Sequence, residues 1–183
     1  TIPLDTLKGY SELKYVSQAA VDQWSGAFQQ RLTQTPREEA KNVITARTRI
    51  LRALHQRGVK ILMGTDAPQQ FSVPGFSLHR ELLRMRDAGM SPYEILESGT
   101  VNVGQYFAKQ DPSTSLRTSS FGTIEPGKRA DLVLVNANPL ADIANVDRIS
   151  GVMVRGRWLS RSDLDAGSIL SPGDTVVLIG SGE

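Results

Sequence analysis

The chain has 183 residues, enough for a domain with its own core, and its apolar and charged fractions are those of a globular protein. A net charge of +2, with acids interleaved among the bases, argues against a nucleic-acid partner. There is no cysteine, hence no disulfide and no thiolate zinc site, and no apolar run near ~18 residues to span a membrane. A soluble chain is expected, with the compartment open between cytoplasm and periplasm or secretion.

Residues 1–34 have no clean period until Val21 to Leu32, where Trp24, Phe28 and Leu32 fall on one helical face and read as core packing. Thr35-Pro36-Arg37-Glu38 reads as a capping box that opens a long helix with Val43, Ile44, Ile50, Leu51 and Leu54 as its apolar stripe and Gly58 as its stop. Its arginines suit a solvated face. His55, in the last turn, suits the helix dipole and reads as structural.

Val59 to Met63 is short and apolar and lies between two helical patterns, so it reads as a parallel strand buried on both faces. Asp66 falls just past its C-terminal end, where catalytic groups collect in barrels and doubly wound sheets. From spacing alone, a turn cap before Pro68 is the better account of Asp66, and the rest of the chain is what shifts the balance. After the loop 69–75 comes a helix from about Ser77 to Ala88 that carries His79 near its start. Ser91-Pro92-Tyr93-Glu94 is a capping box opening a further helix, and Asn102 to Lys109 reads as another.

Residues 110–120 are polar and low in complexity, as a linker would be. Strands are expected at Phe121–Ile124, Ala130–Val135, in a hairpin over 152–159, and at Val176–Ile179, with a type II turn at Glu125–Lys128 and a weak helix from Ser162 to Leu170. The expected division is an α/β part, 1–115, and a mainly β part, 116–183.

Four stretches resemble, in order and spacing, the C-terminal part of the amidohydrolase superfamily, which includes imidazolonepropionase and Xaa-Pro dipeptidase relatives. They are Leu54-His-Gln-Arg-Gly-Val-Lys-Ile-Leu-Met-Gly-Thr-Asp66, Leu78-His-Arg-Glu-Leu-Leu83, Ala88-Gly-Met-Ser-Pro-Tyr-Glu94, and Gly122-Thr-Ile-Glu-Pro-Gly-Lys-Arg-Ala-Asp-Leu-Val-Leu-Val135 followed by Asn138-Pro-Leu140. The resemblance implies an α/β fold: the last part of a (β/α)8 barrel of the TIM type, with Val59–Met63 as strand eight, followed by part of a small β-sandwich. It implies hydrolysis of a carbon–nitrogen bond other than a peptide bond, in a small amide or cyclic amide, by water activated on a divalent metal, zinc foremost. Asp66 matches the strand-eight aspartate that is both metal ligand and proton shuttle in the family. His79 is a weaker candidate, as a pocket-wall residue that contacts substrate.

The family's His-x-His pair, its bridging Lys or Glu and its two further histidines have no counterpart, since the chain has only His55 and His79. The expectation is therefore a C-terminal piece of a longer hydrolase, binding no metal alone and prone to self-association through open strand edges. The alternative is a non-catalytic module that docks onto a partner chain supplying the missing strands.

Overall fold

The computed structural model describes residues 2–35, 37–110 and 120–166. Helices α1 (Leu4–Lys8), α2 (Gln18–Gln34), α3 (Arg37–Gln56), α4 (Phe76–Asp87), α5 (Pro92–Gly99) and α6 (Val101–Gln110) precede a three-stranded antiparallel sheet and α7 (Arg161–Asp165). The sheet runs in the order β1 (Leu132–Val135), β2 (Ile149–Val154), β3 (Arg157–Ser160). Short 3-10 helices lie at Ser11–Tyr15 and Ile143–Asp147. The fold is of mixed α/β class.

Local chemistry explains several boundaries. Ser91 accepts from the Glu94 N–H while the Glu94 carboxylate accepts from the Ser91 N–H, so α5 opens on the expected capping box. The β2–β3 hairpin turns at Arg155 and Gly156, both at positive φ (49° and 83°), the conformation that tight two-residue hairpins need and that glycine adopts freely. Asp131 accepts from the Arg155 N–H at 2.7 Å, and Gly156 donates to the Ala130 carbonyl at 3.0 Å. The aspartate of the Gly-Lys-Arg-Ala-Asp stretch thus holds a turn.

Leu82, Met85, Met90 and Ile95, from α4, the α4–α5 connection and α5, form the main core, and Ile143 from the second 3-10 helix completes it at 1% exposure. That helix carries no apolar period in the sequence, yet it docks the β part onto α4. A second core of Leu7, Val21 and Phe71, flanked by Tyr10, Trp24 and Phe28, ties α1 and α2 to the loop before α4.

Some expectations are corrected. Phe121–Ile124 forms bends, not a strand, because it makes no ladder; its neighbourhood is held by Arg129 donating to the Ser120 carbonyl at 2.7 Å. The stripe on α3 is open: Val43, Ile44, Ile50 and Leu54 are exposed, and Leu51 alone of that set packs against the core. Leu32 is likewise exposed. Pro36 of the capping box at 35–38, the linker over 111–119, the end of the weak helix beyond 166 and the strand Val176–Ile179 lie outside the described residues.

Candidate functional site

Residues 59–65 are not helical, and their burial alternates from Ile61 onward as along an extended chain, but they form no strand, contrary to the sequence expectation. A parallel strand exists only through ladder bonds to its neighbours, and among the described residues no strand lies beside this one. Its backbone is held instead by helices. Val59 donates to the Leu54 carbonyl at 3.1 Å, Met63 donates to the Ser98 carbonyl at 3.0 Å, and the Ile61 carbonyl accepts from the Asn102 side chain at 3.2 Å.

The side chains keep the two-residue alternation of an extended chain. Ile61 and Met63 pack on the main core, with Thr65 half-buried in the same phase, whereas Leu62, Gly64 and Asp66 lie exposed on the opposite face. Arg52 of α3 donates to the carbonyls of Asp87 and Ala88 at the C-terminal end of α4, which sets that end of α4 beside the start of the segment. The N-terminal end of α4 therefore lies at the end that carries Asp66.

Asp66 opens a tight loop. Its φ is 53°, a left-handed conformation that aspartate tolerates. Its carboxylate accepts from the Gln69 side chain, and Gln69 and Ser72 exchange two backbone hydrogen bonds at 3.3 and 2.8 Å. Phe71 is also left-handed, at φ 56°, a conformation costing a bulky residue about 1–3 kcal/mol. Burial offsets the strain: the ring is 4% exposed and meets Trp24 and Phe28 edge-on at 5.8 and 6.3 Å.

Arg80, one turn into α4, fastens the same loop. It donates to the Phe71 carbonyl at 3.1 Å, pairs with Glu12, and lies 4.4 Å from the centre of the Tyr10 ring. Glu12 is 5% exposed. Burial pushes its carboxyl up, but the bond and charge from Arg80, with help from its own backbone and Ser11, outweigh burial and hold it below the ordinary glutamate value. Sequence reasoning missed both residues. Glu12 sits in a stretch without a period, and nothing local marks Arg80 among the other arginines.

The two histidines lie elsewhere. His79 pairs through Nδ1 with Asp147 of the second 3-10 helix. His55 Nε2 is 3.6 Å from Glu94 at the start of the extended segment, the end opposite Asp66. A cleft of about 200 Å³ opens there between His55, Lys60, Met90, Glu94, Glu97 and Asn102, and Asp66 has no part in it. Hydrogen bonds from Ser91 hold the Glu94 carboxyl below its ordinary value. Among the described residues no three His, Asp or Glu side chains converge as a metal would require. Asp66 supplies one donor, so the described residues do not by themselves fit a catalytic metal.

A family model described as the amidohydrolase family matches residues 27–159. Among solved structures, the chain is similar to a bottromycin amidohydrolase, at 27% identity and a TM-score of 0.64, covering 84% of this chain and 32% of that one. It is similar to molinate hydrolase at 25% identity and a TM-score of 0.54, covering 84% and 32%. It is also similar to a Xaa-Pro dipeptidase with methionine bound in its active site, at 29% identity and a TM-score of 0.50, covering 62% and 25%. The chain thus spans between a quarter and a third of the length of these structures. No curated protein matches it.

Proposed function

The chain belongs to the amidohydrolase family, and from that premise we propose that it serves as the C-terminal portion of a hydrolase that cleaves an amide-type carbon–nitrogen bond in a small molecule. Residues 1–115 contribute the last part of a (β/α)8 barrel, with 59–63 as strand eight once its neighbours are present, and 116–183 contribute part of a β-sandwich. The observation that carries this reading is the placement of Asp66: it ends the extended segment, on the face turned away from the helices. In a closed barrel that face looks inward, at the end where catalytic groups gather.

In this reading Asp66 is the acid–base group. As a water oxygen attacks the carbonyl carbon, the carboxylate takes a proton from the water. As the carbon–nitrogen bond breaks, the carboxylic acid gives that proton to the departing nitrogen. Metal dependence rests on the family likeness. Asp66 offers one ligand, and the remaining donors come from outside the described residues. His79, with Nδ1 engaged by Asp147, can offer substrate only its Nε2 edge. The test is to assay the full-length protein carrying this chain against N-acetyl amino acids, Xaa-Pro dipeptides and hydantoins, before and after chelation. Hydrolysis of one class, lost on chelation and restored by zinc, supports the reading; no hydrolysis of any class counts against it.

One observation favours a second reading. Val43, Ile44, Ile50 and Leu54, spaced along one side of α3, are exposed, and an apolar helix face left open in this way marks an interaction surface. A docking module that a partner chain covers along this face would show it too, and it would hydrolyse nothing even when the partner is bound.

A further inference from the structure

Glu12 is the one charged side chain buried among the described residues. A buried ion pair is a poor way to gain stability, since well-packed apolar residues of the same volume serve as well or better. Its placement is more informative. The Glu12–Arg80 pair stands where the loop after Asp66 meets both the N-terminal helices and α4.

The Arg80 guanidinium has a planar fork of donors and uses it in two directions. One nitrogen meets the Glu12 carboxylate, and the other meets the Phe71 carbonyl at 3.1 Å. The Tyr10 ring covers its face at 4.4 Å. Phe71 is the strained residue of the loop and Asp66 is the other left-handed one, so the loop is bracketed by two conformations that relax unless held. Between them, Gln69 is locked to Ser72 through the backbone and to the Asp66 carboxylate through its side chain. Contact runs from Glu12 through Arg80 to the Phe71 carbonyl, along the chain to Ser72, and by hydrogen bonds through Gln69 to Asp66.

We propose that Arg80 is a positioning residue for Asp66: paired with buried Glu12, it pins the Phe71 carbonyl and so fixes the loop that aims the Asp66 carboxylate across the open face. The proposal rests on the reading of Asp66 as the acid–base group. Arg80 touches no reacting atom. Lysine could reach one of the two acceptors but not both, so Arg80→Lys should fall between the wild type and Arg80→Met.

Two measurements test it. In the 183-residue chain, amide exchange at Ser72, which donates to Gln69 at 2.8 Å, reports the loop alone. Arg80→Met should speed it by about 10-fold or more while Met90 and Ile95 exchange as before, because local opening leaves the main core intact. In the full-length protein, assayed with the Xaa-Pro or N-acyl substrate it turns over best, Arg80→Met should lower kcat about 10-fold or more with KM little changed, the signature of a misplaced group. Arg80→Lys and Glu12→Gln should lie between. Ile143→Val, which loosens the other core, should lower the melting temperature and leave kcat alone. Ser72 exchange at the wild-type rate in Arg80→Met, or a kcat loss in Ile143→Val equal to that in Arg80→Met, overturns the proposal. If Asp66→Asn is inactive while Arg80→Met keeps its kcat, the proposal fails alone. If Asp66→Asn turns over normally, the reading of Asp66 fails and takes the proposal with it.

Discussion

His79 on α4 and Asp147 in the second 3-10 helix meet, Nδ1 to carboxylate, across the junction of the helical part and the β part. Four residues before Asp147, Ile143 is buried in the main core. Both join the same two pieces, and magnitudes decide which one holds them. The pair is 30% and 56% exposed, a setting in which even a fully charged pair contributes only about 0.2–1 kcal/mol. Truncating a buried isoleucine costs about 2–5 kcal/mol. Ile143→Ala should therefore depress the melting temperature several times more than Asp147→Asn. Thermal unfolding of the two variants side by side checks the order, and an equal loss would give the pair a larger share than its exposure allows.

Acid should loosen the N-terminal helices through Glu12. Its carboxyl titrates below the ordinary glutamate value in the folded chain. A group depressed in this way stabilises above its unfolded pKa, and the contribution is lost as pH falls through the lower folded value. The stability of the wild type should thus decline from about pH 5 downward, and Glu12→Gln should start lower and show a shallower decline. Urea unfolding followed by tryptophan fluorescence at stepped pH reads both slopes. Parallel slopes would remove Glu12 from the acid response.

Gly151 on β2 leaves no room for a side chain. A Cβ there would come within 2.3 Å of the Trp158 ring and 2.8 Å of the Leu159 carbonyl oxygen, and the backbone oxygen cannot swing aside. Gly151→Ala should cost about 1–3 kcal/mol, the usual scale of overpacking, and should move Trp158. Equilibrium denaturation and the emission maximum of a Trp24→Phe background check it. Unchanged emission with unchanged stability would mean that the hairpin opens more cheaply than its geometry indicates.

Much of this architecture is legible in the sequence because it is written locally. Ser91 and Glu94 announce their helix three residues apart, and Arg155-Gly156 sits between two apolar strands. Asp66 is found at the end of its segment because Gly64 and Pro68 punctuate the chain there. What escapes the sequence depends on distant partners. Ile143 is one apolar residue in a polar stretch, and its burial is decided by α4 and α5. Glu12 and Arg80 meet across 68 positions with no periodic signal. Residues 59–63 have the composition of a buried strand, but a strand is a property of the neighbours as much as of the segment, and none lies beside it among the described residues.

The purified 183-residue chain should hold well under one equivalent of zinc after dialysis. A catalytic zinc normally has three protein ligands, and Asp66 is joined by no second donor of the right kind among the described residues. The same preparation should self-associate through the exposed Leu62 side of the segment and the open backbone beside it. Elemental analysis run with size-exclusion chromatography reads both. One equivalent of zinc on a monodisperse monomer would point to a site that joins His55 or His79 to Asp66.

The proton-shuttle role proposed for Asp66 is tested most directly by the turnover of Asp66→Asn in the longer hydrolase proposed above, under saturating substrate and with thermal unfolding as a control for folding. Asparagine fills the same space and keeps a hydrogen-bonding side chain, but it cannot accept and return the proton. The account predicts a loss on the order of 100-fold or more with the fold intact. Turnover near that of the wild type would contradict it and assign the proton to another group.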